Sequence, residues 1–557
     1  MVEYLTRSEC RKLANWRQLE PDHLSKGLLQ QFDDFVPEWS PKEIKNSYWE
    51  EKIEIPAITL SETQLEELKS LLKPENVKID AKSRLLFSHG QSQEDLIRVR
   101  TGNFSILCDA VVQPENEDDI IKVFRFCEKY KKPLIPVGGR TSVTRAINFT
   151  RPGIALSLRP HFANIIKINT DLMTVRVQAG VLGPELENAL NEKGFTCGHF
   201  PQSFKEASVG GWIAARSAGQ NSSLYGKIEH LTISMRVITP KGSIESPAVP
   251  AYATGPMWFP VFIGSEGVLG IITEATLKIF KKPKVTEYSS YLFRSFKEGI
   301  LAVQYLNQQE IKPSIIRLSD GLETFGYQLL GREGEPLTLK DKLIEKYLKW
   351  KKYYPRTRCI LLLVFEGTPN YVKNAKLIAK ESAKRFTGIS AGGHYAKQWY
   401  DDRFEHPHLR DALLDKGLMI DTLETIATWD KLLDLYNEVH KRLGVKSPMI
   451  FTHLSHQYPS GSAIYFIYFI PIIKGHEVED CRLCQKFALD AFLDSTEVVT
   501  HHHGVGKAFI PWAQREWSRD LLNIAVKIRH SVDPNNIMNP DNFPVMKSEN
   551  ETKKKNS

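Results

Sequence analysis

The chain has 557 residues, 42% hydrophobic and 25% charged, with a formal net charge of +8. That composition excludes a disordered chain, a collagen-like repeat and a disulfide scaffold, and the length allows two or more domains. The mild basic excess fits a solvated surface, an anionic substrate or an acidic membrane surface, and no motif that reads DNA or RNA accompanies it.

Residues 1–94 read as a helical and irregular appendage. Within it "LSETQLEELKSLL" is an amphipathic helix opened by a Ser-x-x-Gln capping box. The aromatic stretch "FDDFVPEWSPKEIKNSYWEE" is expected to pack on the main body or at a dimer contact. From about residue 95 the pattern changes. "ILCDAVVQP" predicts a short strand, and "ENEDDIIKVFRFCEKYKK" a helix with an acidic start and a basic end, as the helix dipole favours. "PLIPVGGRTS" follows as a strand ending in glycines. "TVRVQAG" and "VLGPELENALNEKG" repeat strand, turn and helix, and "ISMRVITPKGSI" is a hairpin turning at Lys-Gly. The pattern restarts at about 283 with alternating strands and helices, the order of an antiparallel sheet with helices on one face. The apolar run "AIYFIYFIPII" is too short to span a membrane, contains Pro, and reads as a buried strand. "VDPNNIMNPDN" is turn-rich and closes the fold, and the last ten or so residues are expected to be disordered. The fold class is therefore α+β, with an appendage at 1–94, a cofactor domain at 95–282, a substrate or cap domain at 283–510 and a closing segment at 511–557.

Seven cysteines, odd in number and scattered, argue for a reducing compartment. Cys481 and Cys484 have zinc-like spacing, but they lie in a helical stretch without a second pair and read as structural thiols.

Three glycine segments stand out, although any one alone reads as well as a tight turn. Pro136, Val137, Gly138, Gly139, Arg140, Thr141 and Ser142 follow a strand, where paired glycines let backbone N–H groups converge. The second segment is "ASVGGWIAARSAG", with Ser208, Gly210, Gly211, Ala215, Arg216, Ser217 and Ala218. The third is "GSEGVLGIITEATL", with Glu266, Gly267, Val268, Leu269, Gly270, Ile271 and Ile272. None matches the dinucleotide fingerprint of a Rossmann fold or the phosphate loop of a nucleoside triphosphatase.

Taken together, "VVQPENEDDIIKV", "PLIPVGGRTS", "FIGSEGVLGIITEATLKI" and "VDPNNIMNP" resemble the flavoproteins of the vanillyl-alcohol oxidase and para-cresol methylhydroxylase superfamily, over about residues 95–545. The resemblance implies a two-part FAD-binding domain of that type, followed by a cap domain of the FAD-linked oxidase type. The first loop would hold the pyrophosphate and the later segments the rest of the cofactor, including Gln202, where the family usually has an acidic residue. Arg140 stands where a third glycine is common; its guanidinium either reaches a phosphate or needs extra room. Covalent members link the flavin through a His near the first loop. "GGRTSVTRA" has none, so the FAD is expected to be non-covalent.

Within this superfamily "HHHGVGK" (residues 501–507), "GHFPQSFKEASVGGWIAARSAGQNSSLYGKIE" and "LRDALLDKG" resemble the alkyldihydroxyacetonephosphate synthase family. That resemblance implies exchange of the acyl group of acyl-dihydroxyacetone phosphate for a long-chain alcohol, giving an ether and a fatty acid without net redox. It also implies site residues. Tyr465 matches an acid/base tyrosine, Arg410 a phosphate-binding arginine, and Arg317 an arginine near the flavin. Imidazole titrates near neutrality, so His501, His502 and His503 suit proton transfer. His502 or His503 is expected to face the flavin, with His501 in support. No metal is expected, because consecutive side chains of an extended segment diverge. His406 and His408 are placed at the substrate mouth, and His453 and His456 in packing.

The rival readings are a D-lactate- or glycolate-type 2-hydroxy-acid dehydrogenase or oxidase on the same fold, and a flavin-binding scaffold without turnover. "QWYDDRFEHPHLRDALLDKG" looks closer to bacterial FAD-linked oxidases than to the animal enzymes. No targeting signal decides the compartment. "KKKNS" is not a peroxisomal tripeptide, and "RKLANWRQL" has Lys where a peroxisomal N-terminal signal wants an aliphatic residue, which leaves a bacterial cytoplasm or a peroxisome. The expected partners are the two lipid substrates, a second copy of the chain, and peripherally a membrane surface met by the appendage or by "HYAKQWYDDRF". No nucleic acid is expected.

Overall fold

The computed structural model describes residues 3–15, 29, 33, 36, 39–41, 46–104, 106–330 and 338–545. The tail expected to be disordered lies outside them, as does most of "FDDFVPEWSPKEIK". Two of its described residues, Val36 and Trp39, are buried against Leu413, Leu418 and Met449 of the main body.

The first half is built on two sheets. Ala110–Val112, Ile154–Leu156 and Leu134–Pro136 run parallel, and Val77–Lys78 adds an antiparallel edge. The helix Glu117–Tyr130 makes the crossover. Asn116 caps its N-terminus, Glu117, Asp118 and Asp119 fill its first turn, and Lys131 ends it in the left-handed region at φ 50°. The second sheet is antiparallel, in the order Gly242–Glu245, Thr232–Thr239, Ile271–Lys278, Thr174–Gln178, Ile165–Asn169. The turn-rich C-terminal segment returns to the first sheet. Leu134 N donates to Ile537 O at 2.8 Å and Asn539 N to Leu134 O at 2.9 Å. Buried Arg529 holds that segment by donating to the carbonyls of Met538, Asn539, Asn542 and Pro544.

The second half is one seven-stranded antiparallel sheet, in the order Ile389–Gly392, Val285–Phe293, Cys359–Gly367, Ile315–Ser319, Met449–Tyr458, Gly461–Pro471, Leu418–Thr428. Helices Phe296–Asn307, Pro369–Arg385, Leu432–Leu443 and Glu477–Thr496 bury their apolar stripes on one of its faces. Cys481 and Cys484 lie in that core, and all seven cysteines are buried and unpaired. Burial pushes the Cys484 thiol up to about 12, so it is inert packing. Strand side chains alternate, so the opposite face is free to line a cavity.

"HYAKQWYDDRF" is helical where a loop was expected. It forms the helix His394–Asp402, whose Ala396 and Trp399 are buried. No helix among the described residues is long and apolar enough to cross a membrane.

Candidate active site

A cavity of about 430 Å³ lies between the glycine segments and the free face of the seven-stranded sheet. Its sheet wall follows the period-two rule: Ile420 and Thr422, Phe451, His453 and Ser455, and Tyr465, Ile467 and Phe469 all face inward from three neighbouring strands. Register aligns the polar members. Tyr465 stands opposite Glu424 on one side and His453 on the other.

Glu424 is 2% exposed and organises the triple histidine. Its carboxylate accepts from Thr500 Oγ1 at 2.5 Å and from the backbone N–H groups of His501, His502 and His503 at 2.9, 3.1 and 3.0 Å. The chain wraps around the carboxylate instead of running extended, so the expectation that neighbouring imidazoles diverge fails for two of the three. The Tyr465 hydroxyl sits 2.5 Å from His502 Nε2 and 3.1 Å from His503 Nε2. His501 turns away; its Nε2 is 2.7 Å from the Tyr458 hydroxyl and its Nδ1 2.9 Å from His502 Nδ1. One consistent proton assignment runs through them. Tyr465 O–H donates to His502 Nε2 and accepts from His503 Nε2–H. His502 Nδ1–H donates to His501 Nδ1, whose Nε2–H donates to Tyr458. Donor atoms of Glu424, His502 and His503 lie within 4.8 Å of one another, a spacing that could hold a cation. The same carboxylate is already occupied by four donors.

Electrostatics keeps these groups neutral. Burial lowers the imidazoles of His502 and His503, and neighbouring histidines lower His502 further, while the Glu424 charge opposes the shift at His503. Burial and Glu424 raise the Tyr465 phenol well above its usual range, so it stays protonated.

The turn after the histidines needs both of its glycines. Gly504 has φ +81° and Gly506 φ +52°, and a Cβ at either would collide, with the Glu266 carboxylate and the Thr144 carbonyl respectively. This turn joins the separate segments. Gly506 N donates to Glu266 Oε2 at 2.8 Å, and Lys507 Nζ donates to Ala146 O at 3.0 Å and Asn539 Oδ1 at 2.7 Å. Burial moves both charges toward neutrality, Glu266 up to about 7 and Lys507 down to about 7.

Two arginines predicted for the site line the cavity. Arg317 Nη2 donates to Glu323 Oε1 at 2.8 Å and to the Tyr327 hydroxyl at 3.2 Å, and lies 3.0 Å from His453 Nδ1. Burial opposes the Glu323 charge, but His453 and Arg317 together hold that carboxyl at about 2. Arg410 donates to the Gln91 carbonyl and to Gln91 Oε1. His453 and His456, read from sequence as packing, both line the cavity. His453 stacks on the Tyr465 ring at 4.9 Å. His456 sits at a bulge with φ +56°, which turns its ring toward His501 and His502. Pro407 and Leu409 are at the cavity wall beside the predicted mouth.

The glycine segments form the opposite wall. Pro136 through Ser142, Gln202, Ser208, Gly210, Gly211, Ala215, Ser217, Ala218, Glu266, Gly267, Gly270, Ile271 and Ile272 line it. Three predicted residues do not. Arg216 is the left-handed cap of the helix Val209–Ala215 and its guanidinium pairs with Glu229, while Val268 and Leu269 are buried in the core beneath. A Cβ on Gly139 would collide with the Glu206 carbonyl, so the backbone approach there demands glycine. Arg140, at φ +60°, lines the cavity, and burial lowers its guanidinium to about 10. Buried polar atoms on this wall and on the cap side, among them Gln220 Oε1, Ser455 Oγ, Arg317 Nε and Arg410 Nε, have no protein partner among the described residues. A cavity with a glycine-built wall and unpartnered buried donors and acceptors around it fits FAD.

Sequence reasoning missed Glu424, Glu323 and Trp399. For Glu424 the signal available was an acidic residue at an inward position of the buried strand "LMIDTLETIAT", which carries a second acid, Asp421.

Residues 108–246 match the FAD binding domain family and residues 282–543 the FAD linked oxidases, C-terminal domain. The alkyldihydroxyacetonephosphate synthase of Trypanosoma brucei brucei is 31% identical over 515 residues, 90% of this chain and 84% of that protein. The enzyme of the same name from Dictyostelium discoideum is 30% identical over 497 residues, 87% of this chain and 81% of its own. A crystal structure titled alkyldihydroxyacetonephosphate synthase superposes with a TM-score of 0.75 at 26% identity, covering 92% of this chain and 91% of that one.

Proposed function

The chain belongs to the alkyldihydroxyacetonephosphate synthase family and is an FAD-dependent enzyme of that type, and from this premise we propose how its residues act. The reaction exchanges the acyl group of acyl-dihydroxyacetone phosphate for a long-chain alcohol. At the carbon beside the ketone, the bond to the carboxylate oxygen breaks and the bond to the alcohol oxygen forms. A proton leaves that carbon and is returned, and no electrons are consumed.

When bound, FAD supplies the electron-deficient ring on which exchange at that carbon depends. The backbone N–H groups of Gly138–Ser142 would hold its phosphates, while Pro136, Val137 and the helix start at Ser208–Gly211 line the cradle, with the N–H groups of Val137, Val209, Gly210 and Gly211 already paired within the protein. The FAD is held non-covalently: the residues after Gly138, through Ala146, include no His or Cys. Arg410 binds the substrate phosphate, and a planar fork suits that dianion. Arg317 places a fixed cation by the reacting end, compensated by Glu323. Tyr465 and the neutral imidazoles His502 and His503 hold and move the proton at Tyr465 Oη. The observation that carries this reading is that hydroxyl, within hydrogen-bond reach of two imidazoles on a cavity wall that also presents two arginines.

The test is a transfer assay on the purified holoprotein with acyl-dihydroxyacetone phosphate and labelled hexadecanol, without an electron acceptor. Labelled ether is expected, reduced by about 10² or more in His503→Ala, and acid precipitation should release all of the flavin. Absence of ether, with the flavin bleached by D-lactate or glycolate under argon, would replace this reading with 2-hydroxy-acid oxidation.

The pH profile follows from the lowered imidazoles. A His whose folded pKa lies below its ordinary value keeps its neutral, proton-accepting form until the pH falls below that value. The kcat/KM profile should therefore show no inflection near pH 6.5, with its acid limb lower. An acid limb centred on pH 6.5 or above would show that the cluster is not the proton acceptor.

A further inference from the structure

The first of the two matched domains begins at residue 108, yet a residue before it reaches the site. Gln91 is 1% exposed and lies between the helices Ala81–Leu86 and Gln93–Thr101. Every polar group of its backbone and side chain is in use, and together they join three separate parts of the chain. Its backbone N–H donates to the Ser142 carbonyl at 2.6 Å, at the end of the cofactor loop. Its own carbonyl accepts from Arg410 Nη1 at 2.9 Å, and its Oε1 accepts from Arg410 Nη2 at 3.2 Å. Its Nε2 donates to the Ala14 carbonyl at 2.5 Å. That carbonyl belongs to the last turn of the helix Arg7–Ala14, where helix carbonyls have no intrahelical partner. The amide is thereby oriented: its nitrogen faces a carbonyl, so its oxygen faces the guanidinium.

The helix Leu409–Leu414, which carries Arg410, is gripped by the same neighbours. Buried Arg100 donates through Nη2 to Asp411 at 2.7 Å and through Nε to Asp415 at 3.0 Å. Arg11, on the N-terminal helix, donates to the other oxygen of Asp415 at 2.8 Å. The backbone that carries Arg410 and the side chain that aims its guanidinium are therefore both tied to the helix Arg7–Ala14.

The neutrality of the partner matters. Arg317, also on the cavity, is paired with a carboxylate, Glu323. The acceptors of Arg410 are a peptide carbonyl and an amide oxygen, which fix the planar fork without cancelling its charge. Arg100 takes up the neighbouring Asp411. Arg410 Nε is buried with no protein partner among the described residues, and the side chain lines the cavity, so a donor is left for an anionic ligand there.

We propose that Gln91 is the positioning residue of the substrate-phosphate site: it aims the Arg410 guanidinium without neutralising it, and the helix Arg7–Ala14 holds Gln91 in that pose. The inference rests on the assignment of Arg410 to the substrate phosphate made above. It gives the N-terminal appendage a part in substrate binding, although no residue of that helix touches the substrate.

The experiment is steady-state transfer by the purified, FAD-loaded full chain, with acyl-dihydroxyacetone phosphate varied, hexadecanol fixed and inorganic phosphate added as a competing anion. Gln91→Met keeps the volume and removes both the acceptor and the donor. It should raise KM for acyl-dihydroxyacetone phosphate about tenfold and the inhibition constant of inorganic phosphate by the same factor. Its kcat should change by less than about threefold, because a phosphate bound alike in ground and transition states is felt in KM. Gln91→Glu keeps the shape and the acceptor and adds a charge. It should raise both constants at least as far as Gln91→Met, since a carboxylate would occupy the guanidinium in place of the phosphate. FAD content should match wild type in both. Arg410→Ala is the reference, with KM raised about a hundredfold. A wild-type KM in Gln91→Met beside a raised KM in Arg410→Ala overturns the inference. So do wild-type constants in Gln91→Glu, the result for a side chain that only fills space, and loss of FAD from both Gln91 variants, which would assign the residue to the cofactor loop. A wild-type KM in Arg410→Ala would instead overturn the assignment of Arg410 itself, and this inference with it.

Discussion

Tyr465→Phe is expected to lower turnover by about 10²–10⁴ while leaving the flavin spectrum and FAD content unchanged. The substitution removes one oxygen from the cavity wall. The ring keeps its stacking on His453 at 4.9 Å and its place in the strand Gly461–Pro471. What disappears is the shared proton between Tyr465 Oη and the two Nε2 atoms at 2.5 and 3.1 Å. The fold cost is small by comparison, about 1–3 kcal/mol for leaving buried imidazole nitrogens unpartnered. The decisive measurement is single-turnover exchange of labelled fatty acid in acyl-dihydroxyacetone phosphate without added alcohol. This step isolates proton removal and carboxylate departure from alcohol addition. Wild-type exchange by the Phe variant would remove Tyr465 from the chemistry.

The second large effect belongs to Glu424. It touches no substrate in this reading, yet it holds three consecutive backbone N–H groups and the Thr500 hydroxyl. Glu424→Gln puts an amide NH₂ where one of two accepting oxygens stood, facing donors. At about 1–3 kcal/mol for each buried donor left without a partner, the loss should be roughly 2–5 kcal/mol, read as a shift in the denaturant midpoint. Turnover should fall as well, because His502 and His503 lose the backbone frame that aims both at Tyr465. A purely structural role would stop there. The carboxylate also raises the His503 imidazole against the effect of burial, so its neutralisation should move the acid limb of kcat/KM to lower pH. Glu424→Gln with wild-type stability and an unmoved limb would show that the nest is not what organises the cluster.

Much of this protein was legible without a structure, for local reasons. Capping boxes such as Ser61 with Gln64 are contacts between residues three apart and are written directly in the chain. So is the strand–helix–strand unit closed by Gly138 and Gly139, where the backbone demands a missing Cβ. An antiparallel sheet with helices on one face followed from alternating strands and helices, though not its seven strands, and the triple histidine was singled out through its resemblance to a family motif. The errors are equally physical. His453 and His456 read as packing because an isolated His in an apolar strand usually is, and the bulge that re-aims His456 is a property of the pairing with the next strand. Arg216 stands among true cavity residues in the sequence, but a left-handed cap turns it toward Glu229.

The sequence by itself determined much of the strand and helix order, the glycine-rich loops and the inventory of titratable side chains, because each depends on neighbours a few positions away. Only the tertiary structure decided which of those side chains meet. Register across three strands sets Glu424, Tyr465 and His453 in one row from positions up to 41 residues apart. The wrapping of residues 501–503 around a buried carboxylate makes adjacent imidazoles converge, where an extended chain would splay them.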